Sequence, residues 1–241
     1  MRKIIFATSL LLATVCDAQI AELGTWNMLD GFYKIKKNYT GWIEVQTRSQ
    51  QVINNFYHYQ IKGGLLYNIP KTDYNLFVGI GRYATYDATG NFKLPLSASE
   101  TRLWEQLAIN NQYSHIKIEH RIRLEQRWIN NDYKARFRYR LNPIIMLNHA
   151  SMLPHTVFIS CFDEIFLSNV FPRFELNRYY WGGGVQLNKK LAIQLGILHE
   201  SNFDKTGKET NRNYLQSTLQ VTIDNKTFLH HHTMNENEKS N

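Results

Sequence analysis

Cysteine is scarce in this chain, which has two among 241 residues. Cys16 lies in an amino-terminal segment with the features of a cleaved signal peptide, so the mature chain would retain only Cys161. One thiol forms no intramolecular disulfide. The shortage of cysteine therefore excludes a disulfide-stabilised fold and a zinc site made of paired cysteines. Cys161 is expected to be an inert buried thiol.

The sequence also has no apolar run long enough to cross a bilayer as a helix. Its first apolar run, Ile4 to Val15, follows the basic pair Arg2-Lys3 and precedes Cys16-Asp17-Ala18. This is the order of the charged, apolar and cleavage regions of a secretory signal peptide, which we predict at residues 1–18. Export without an anchoring helix leaves the periplasm and the outer membrane as destinations, and we expect the outer membrane.

Common catalytic motifs are absent as well. The sequence has no glycine-rich phosphate loop, no paired-cysteine motif and no H-E-x-x-H pair. No metal site is predicted, because a strand would turn the consecutive His230-His231-His232 to opposite sides. A net charge of +8 would suggest nucleic acid as a partner of a cytosolic protein, but the predicted export argues against it. We expect outer-membrane lipids as partners, and anionic small molecules or lipid headgroups as ligands.

The most informative stretch runs from Ile116 to Asn142, where apolar and charged residues alternate on both sides of the turn Asn130-Asn131-Asp132. Because successive side chains of a strand point to opposite faces, the stretch predicts a hairpin with one apolar and one charged face. The apolar row comprises Ile116, Ile118, His120, Ile122, Leu124, Trp128, Tyr133, Ala135, Phe137, Tyr139 and Leu141, and the charged row Lys117, Glu119, Arg121, Arg123, Glu125, Arg127, Lys134, Arg136, Arg138 and Arg140.

A face this densely charged does not fit a dry core, because burying unpaired charge costs more free energy than folding supplies. The charged face must contact water or pair internally, whereas the apolar face favours hydrocarbon. A transmembrane β-barrel meets both demands, with lipid outside and a polar lumen inside. A soluble β-sandwich with one hydrated face is the alternative. We predict an all-β, antiparallel up-and-down transmembrane barrel.

Eleven candidate strands follow one another at the spacing expected of a barrel. Bacterial single-chain barrels usually have an even number of strands. We therefore expect about twelve, with a weak strand near Lys226–His232, or ten if one candidate is wrong. The candidates span residues 21–33, 39–49, 56–69, 74–86, 100–113, 116–129, 133–147, 155–168, 174–188, 191–202 and 211–223.

The same strands divide the chain into regions. The barrel is predicted at residues 19–232 and a disordered polar tail at 233–241. Tight turns are predicted at 36–38, 71–73 and 188–190, and longer polar loops at 87–99 and 203–210. Short turns on one side and long loops on the other are typical of periplasmic turns and external loops.

Five sequence motifs together are distinctive. They are RLWEQL at 102–107, RLEQRW at 123–128, RFRYRL at 136–141, DEIF at 163–166 and NRYYWGGGVQLN at 177–188. In this combination the chain resembles an uncharacterised family of Gram-negative outer-membrane β-barrel proteins, classed as a domain of unknown function. The resemblance extends from about Trp26 to Ile223. It implies an outer-membrane barrel and supplies neither an activity nor catalytic residues.

The charged row predicts a charge network in the lumen, and two interpretations of it are open. In one, arginine forks pair with carboxylates and close a narrow barrel. In the other, the basic lumen forms an anion-selective pore or binds phosphate-bearing ligands. We favour the closed network, because a barrel of about twelve strands is narrow compared with porins. The network residues are Arg121, Arg123, Glu125, Arg127, Arg136, Arg138 and Arg140, with Glu105, Glu164 and Glu200 as further acidic candidates.

A different set of residues suggests an alternative function. His199 and Ser201 are two positions apart, so on a strand they share the lipid-facing side, and Asn213 would share that side on the next strand. A serine nucleophile, a histidine base and an asparagine that orients the histidine form a workable set for acyl transfer. The structural alternative is a group of polar residues at the external end of a strand.

The H-x-S-N stretch resembles outer-membrane phospholipase A, which uses Ser, His and Asn on its outer wall together with calcium. The resemblance is confined to residues 196–214 and departs from that family at Phe203, which stands in place of a glycine. It implies Ser201 as nucleophile, His199 as base, Asn213 as its orienting partner and calcium as cofactor; otherwise no cofactor is expected. We predict a non-enzymatic outer-membrane barrel that serves envelope structure, ligand binding or limited anion passage, with a calcium-dependent phospholipase as the alternative.

Overall fold

The computed structural model describes residues 23–87 and 89–224, which form eleven β-strands joined by turns and loops. Each strand corresponds to one predicted from the sequence, and β4 and β6 have the predicted bounds at both ends. The all-β prediction is confirmed. The strands are β1 (Leu23–Lys36), β2 (Tyr39–Gln51), β3 (Asn54–Asn68), β4 (Tyr74–Tyr86), β5 (Leu96–Tyr113), β6 (Ile116–Ile129), β7 (Asp132–Met146), β8 (Thr156–Ser168), β9 (Phe174–Gln186), β10 (Leu191–Phe203) and β11 (Glu209–Asp224).

The strands close into a barrel. Each strand pairs antiparallel with the next one along the chain, and β11 returns to pair with β1. The β1–β11 pair is parallel and extends from Leu23 opposite Asn213 to Lys34 opposite Asp224. An up-and-down barrel with an odd number of strands must contain one parallel pair, because its first and last strands point in the same direction.

The strand count differs from the expected twelve or ten, since the described residues close with eleven strands. The predicted strand near Lys226–His232 lies outside the described residues. The predicted signal peptide at 1–18 and the polar tail at 233–241 lie outside them as well. Among the residues that the structure does describe, no helix is long and apolar enough to cross a membrane.

Alternation gives the barrel wall two different faces. The inner face is polar or aromatic and largely buried, and a compact cluster of Trp26, Phe162, Tyr180, Leu198 and Tyr214 fills part of the lumen. The outer face exposes large apolar side chains on many strands. Examples are Leu29, Ile43, Ile61, Leu76, Val78, Ile80, Leu124, Val157, Trp181, Ile193, Leu195 and Leu219.

Glycines allow the luminal cluster to lie close to the wall. Gly182 and Gly196 are cross-strand partners on β9 and β10. The phenol of Tyr180 lies against both, so that an added Cβ at either position would collide with it and with neighbouring backbone. Tyr180 also stacks on Phe162, with the ring centroids 5.1 Å apart. These glycines therefore serve packing inside the barrel.

The two ends of the barrel carry different connections. The turn end has the connections 37–38, 69–73, 114–115, 147–155 and 187–190, and the loop end has 52–53, 87–95, 130–131, 169–173 and 204–208. The three predicted tight turns lie at the turn end, and the two predicted long loops lie at the loop end. The connection 147–155 is an exception, because it is a long loop at the turn end.

Candidate functional sites in the lumen and on the outer wall

The inner face of β6 and β7 carries the charged row predicted from the sequence. Residues pair directly across this hairpin, so that Arg123 lies opposite Arg138 and Glu125 lies opposite Arg136. Like charges opposite each other are destabilising, and the hairpin therefore requires carboxylates from other strands. All seven predicted network residues take part in ion pairs: Arg121, Arg123, Glu125, Arg127, Arg136, Arg138 and Arg140.

Glu125 is the centre of one ion-pair cluster, and its side chain is fully buried. Arg136 donates two hydrogen bonds to it, from Nε at 2.9 Å and from Nη2 at 2.6 Å, and Arg138 donates one from Nη1 at 2.5 Å. The guanidinium groups of Arg123 and Arg102 approach within 3.6 and 3.8 Å. Four arginines thus surround one carboxylate.

Glu164, on β8, is the centre of a second cluster and is also fully buried. Its Oε1 accepts hydrogen bonds from Arg121 at 2.6 Å and from Arg138 at 2.8 Å. Its Oε2 accepts one from Arg140 at 2.7 Å. Arg138 contacts both Glu125 and Glu164, so the two clusters form one network along the inner face of β6, β7 and β8.

Further carboxylates join the network that sequence reasoning did not assign to it. Glu100 lies 2.5 Å from Arg127, and Glu175 lies 3.0 Å from the same side chain. Glu44 pairs with Lys62. Alternation places Glu44 and Glu100 inward, whereas Glu175 is the extra residue at a register shift between β8 and β9, which breaks the alternation there.

The luminal ion pairs join ten cationic side chains to six carboxylates. The cations therefore outnumber the anions within the network, which remains positively charged. The cations are Arg48, Lys62, Arg102, Arg121, Arg123, Arg127, Arg136, Arg138, Arg140 and Arg178, and the carboxylates are Glu44, Glu100, Glu125, Glu164, Glu175 and Glu200.

Two residues that the sequence suggests for the interior or the luminal network lie on the outer wall. Cys161 is exposed there, so the prediction of a buried thiol is wrong; it follows the outward alternation of β8. Glu105, one of the acidic candidates, is exposed on the outer wall and has Val78 and Leu124 as its cross-strand partners. Glu105 is therefore not part of the luminal network.

Near the loop end, the outer wall brings Ser201, His199 and Asn213 together. His199 and Asn213 are direct cross-strand partners on β10 and β11. Nδ1 of His199 lies 2.8 Å from Oδ1 of Asn213, and Nε2 of His199 lies 3.2 Å from Oγ of Ser201. In the tautomer with a proton on Nδ1, His199 donates to Asn213 and presents Nε2 as an acceptor. This is the arrangement in which a histidine removes the proton of a serine nucleophile.

Two features of Ser201 favour a structural role instead. The residue is only 6% exposed. Its hydroxyl donates to Oδ1 of Asn211 at 2.7 Å, so the proton is directed away from His199. An amide flip of Asn211 would present Nδ2 as a donor to Oγ and release the hydroxyl proton toward His199. Asn211, which sequence reasoning did not single out, therefore determines whether Ser201 is aligned for attack.

The resemblance implies a calcium ion beside this cluster. Among the described residues there is no group of three or more Asp, Glu, His or Cys side chains that could hold a metal ion. In the adjoining loop, Oδ1 of Asp204 accepts hydrogen bonds from the hydroxyl and the backbone N–H of Thr206, at 2.6 and 2.8 Å, and these bonds lower the pKa of its carboxyl. The Asp204 carboxylate is therefore engaged within its own loop, and calcium stays a prediction of the resemblance.

Comparison with known proteins bears on family membership. A family model described as a protein of unknown function (DUF2490) matches residues 23–226, a range that includes all eleven strands. No curated protein and no solved structure is significantly similar to the chain. The chain therefore belongs to the DUF2490 family of proteins of unknown function.

Proposed function

We propose that this protein is a non-enzymatic outer-membrane β-barrel whose lumen is closed by ion pairs. The observation that carries the proposal is the complete burial of Glu125 and Glu164 in the lumen, where arginines from several strands hold both carboxylates. In an open channel these charges would contact water. Here guanidinium groups from β5, β6 and β7 surround the carboxylates and bind them directly. Envelope structure and ligand binding fit such a lumen better than anion passage.

The outer wall supports the membrane location. Trp181 is 67% exposed, Ile80 57% and Leu195 53%, and they lie on β9, β4 and β10. Apolar surface exposed over many strands marks contact with lipid or with a partner protein. A band that continues around a closed barrel favours lipid, because a transmembrane barrel presents such a band to the bilayer on all sides.

Membrane fractionation, gel migration and bilayer recording test this proposal. We expect the protein in the outer-membrane fraction and faster migration on gels before heating than after it. In planar bilayers the wild-type protein is expected to produce no stable conductance step of porin size. Recovery in the soluble periplasmic fraction, or a steady open channel, would contradict the proposal.

The alignment of Ser201, His199 and Asn213 favours a second candidate, hydrolysis of the acyl esters of membrane lipids, in the state in which Asn211 is flipped and the Ser201 hydroxyl donates to His199. In this candidate, Oγ of Ser201 attacks the ester carbonyl carbon while Nε2 of His199 takes the hydroxyl proton and passes it to the leaving alcohol. Water then attacks the acyl-serine with His199 as base, which releases the fatty acid and restores the serine. Asn213 acts as a positioning residue, because its Oδ1 accepts a hydrogen bond from Nδ1–H of His199. The lipid-facing position supports a lipid substrate.

Under the second candidate, Ser201→Ala is expected to lower fatty-acid release by at least about a thousandfold, because the nucleophile is lost. The measurement is hydrolysis of phospholipid in mixed micelles by refolded protein, with and without calcium. Ser217→Ala is the matched control, since it removes another outer-wall hydroxyl, one that donates to Asn27 at 2.8 Å. No release by folded wild-type protein would eliminate this candidate.

A further inference from the structure

The lumen contains a small cavity beside the ion-pair clusters, here called the central cavity, with a volume of about 140 Å³. Nine cationic side chains line it, and among the described residues that line it the sole carboxylate is Glu44. Glu44 is already engaged by Lys62 and by the side-chain amide of Gln46. The central cavity is therefore strongly positive.

Several buried polar atoms of this lining have no acceptor. The Nε atoms of Arg48, Arg121 and Arg140, and Nε2 of His58, form no hydrogen bond with any described residue. His58 is 8% exposed, and its other ring nitrogen is paired with Oγ1 of Thr85 at 2.9 Å. Burying a donor without a partner is unfavourable. The three arginines line the cavity, where a bound anion would offset their charge.

The carboxylates behind these arginines do not meet that need. Glu164 already accepts hydrogen bonds from three arginines. Glu200 accepts one from Arg178 at 2.7 Å and lies 3.9 Å from Nη1 of Arg48. Because the network as a whole also has more cations than carboxylates, the missing partner is an anion.

We propose that the central cavity is a binding site for a single phosphate group. Arg48 extends from β2, whereas Arg121 and Arg140 are cross-strand partners on β6 and β7, so these cations come from two separate parts of the wall. Arginine donors from several directions suit an oxyanion with several acceptor atoms, and the excess of positive charge favours a multiply charged ion over chloride. This inference rests on the proposed function, and specifically on ligand binding as the role of the closed barrel.

A second and larger cavity provides access from the turn end. This mouth cavity has a volume of about 460 Å³ and shares Arg121, Arg123 and Arg140 with the central cavity. Its lining includes Lys117, near the start of β6, and Met152, in the connection 147–155. It has room for the organic part of a small phosphomonoester. The central cavity would therefore recognise the phosphate group alike in free phosphate and in a phosphate ester.

Calorimetric titration of the refolded full-length protein in detergent at low salt tests the proposal. The probes are inorganic phosphate, glycerol 3-phosphate and chloride. We expect saturable phosphate binding, no comparable binding of chloride, and a higher unfolding temperature with phosphate, because the ligand binds the folded state. Arg48→Gln and Arg140→Gln are each expected to weaken binding by about tenfold or more, since each removes charged donors.

Arg82→Gln is the matched control, because it removes the same charge from an outer-wall arginine that donates to Thr101 at 2.9 Å. It should bind phosphate as the wild type does. Binding of both phosphate compounds assigns the site to phosphate groups in general, and binding of inorganic phosphate alone assigns it to the free ion. No saturable binding by folded wild-type protein, or unchanged binding in both luminal variants, would overturn the proposal. Neither result depends on membrane fractionation or on conductance. The proposal of a closed outer-membrane barrel is therefore tested separately from phosphate binding.

Discussion

Glu164→Gln is expected to lower the free energy of unfolding by about 3–5 kcal/mol, the usual effect of removing one partner of a buried ion pair. The variant keeps the size of the side chain, so no cavity is created. It leaves Arg121, Arg138 and Arg140 near one another without the carboxylate that accepts from all three. The measurement is reversible urea unfolding in lipid vesicles, followed by tryptophan fluorescence.

Glu119→Gln provides the control for this experiment. Glu119 lines the mouth cavity and takes part in none of the luminal ion pairs described above. Its replacement should change the free energy of unfolding by no more than about 0.5 kcal/mol, as for most substitutions away from buried networks. Equal stability of Glu164→Gln and the wild type would show that the luminal ion pairs do not hold the barrel together.

Leu195→Arg is expected to destabilise the barrel in vesicles by about 2–4 kcal/mol, the effect of an arginine on the lipid-facing wall near the bilayer midplane. Leu195 is 53% exposed and lies in the interior of β10. In the proposed membrane location, the charge would replace an apolar side chain in contact with hydrocarbon, where no water is present to solvate it. The measurement is again urea unfolding in vesicles.

Leu94→Arg is the matched control for the outer wall, since Leu94 is 73% exposed in the connection 87–95 at the loop end. There the arginine remains in water, and we expect a change within about 0.5 kcal/mol. A soluble β-protein would give the same small change at Leu195, because that surface would already contact water. Equal effects of the two substitutions would therefore contradict a membrane-embedded wall.

Much of the barrel follows from local sequence pattern. Alternation between Ile116 and Asn142 predicts the β6–β7 hairpin and the inward direction of its charges, because the period of a strand fixes which residues share a face. The strand bounds follow from the same pattern and from the polar turns between strands. The closing pair does not follow from it, because the contact of β1 with β11 joins residues about 190 positions apart and depends on the whole sheet.

The candidate sites were predictable to different degrees. Ser201 and His199 share a face by strand period alone, and Asn213 joins them through the register of β10 with β11. The bond from Ser201 to Asn211 depends on that same register and on side-chain conformation, which the spacing does not supply. Glu175 was missed because the register shift beside it breaks the alternation on which the prediction relied.

The central claim is that the protein is a membrane barrel with lipid outside and water on its inner face. Two neighbouring residues on β11 with opposite environments test it most directly. Leu219 lies on the outer wall, whereas Gln220 lines the mouth cavity. Each is replaced by cysteine in a chain whose two native cysteines are serine, labelled with a fluorophore and reconstituted in vesicles. A lipid-attached quencher should quench the label at position 219, and aqueous iodide the label at position 220. Quenching of both labels by iodide and of neither by the lipid quencher would contradict a membrane barrel with an aqueous inner face.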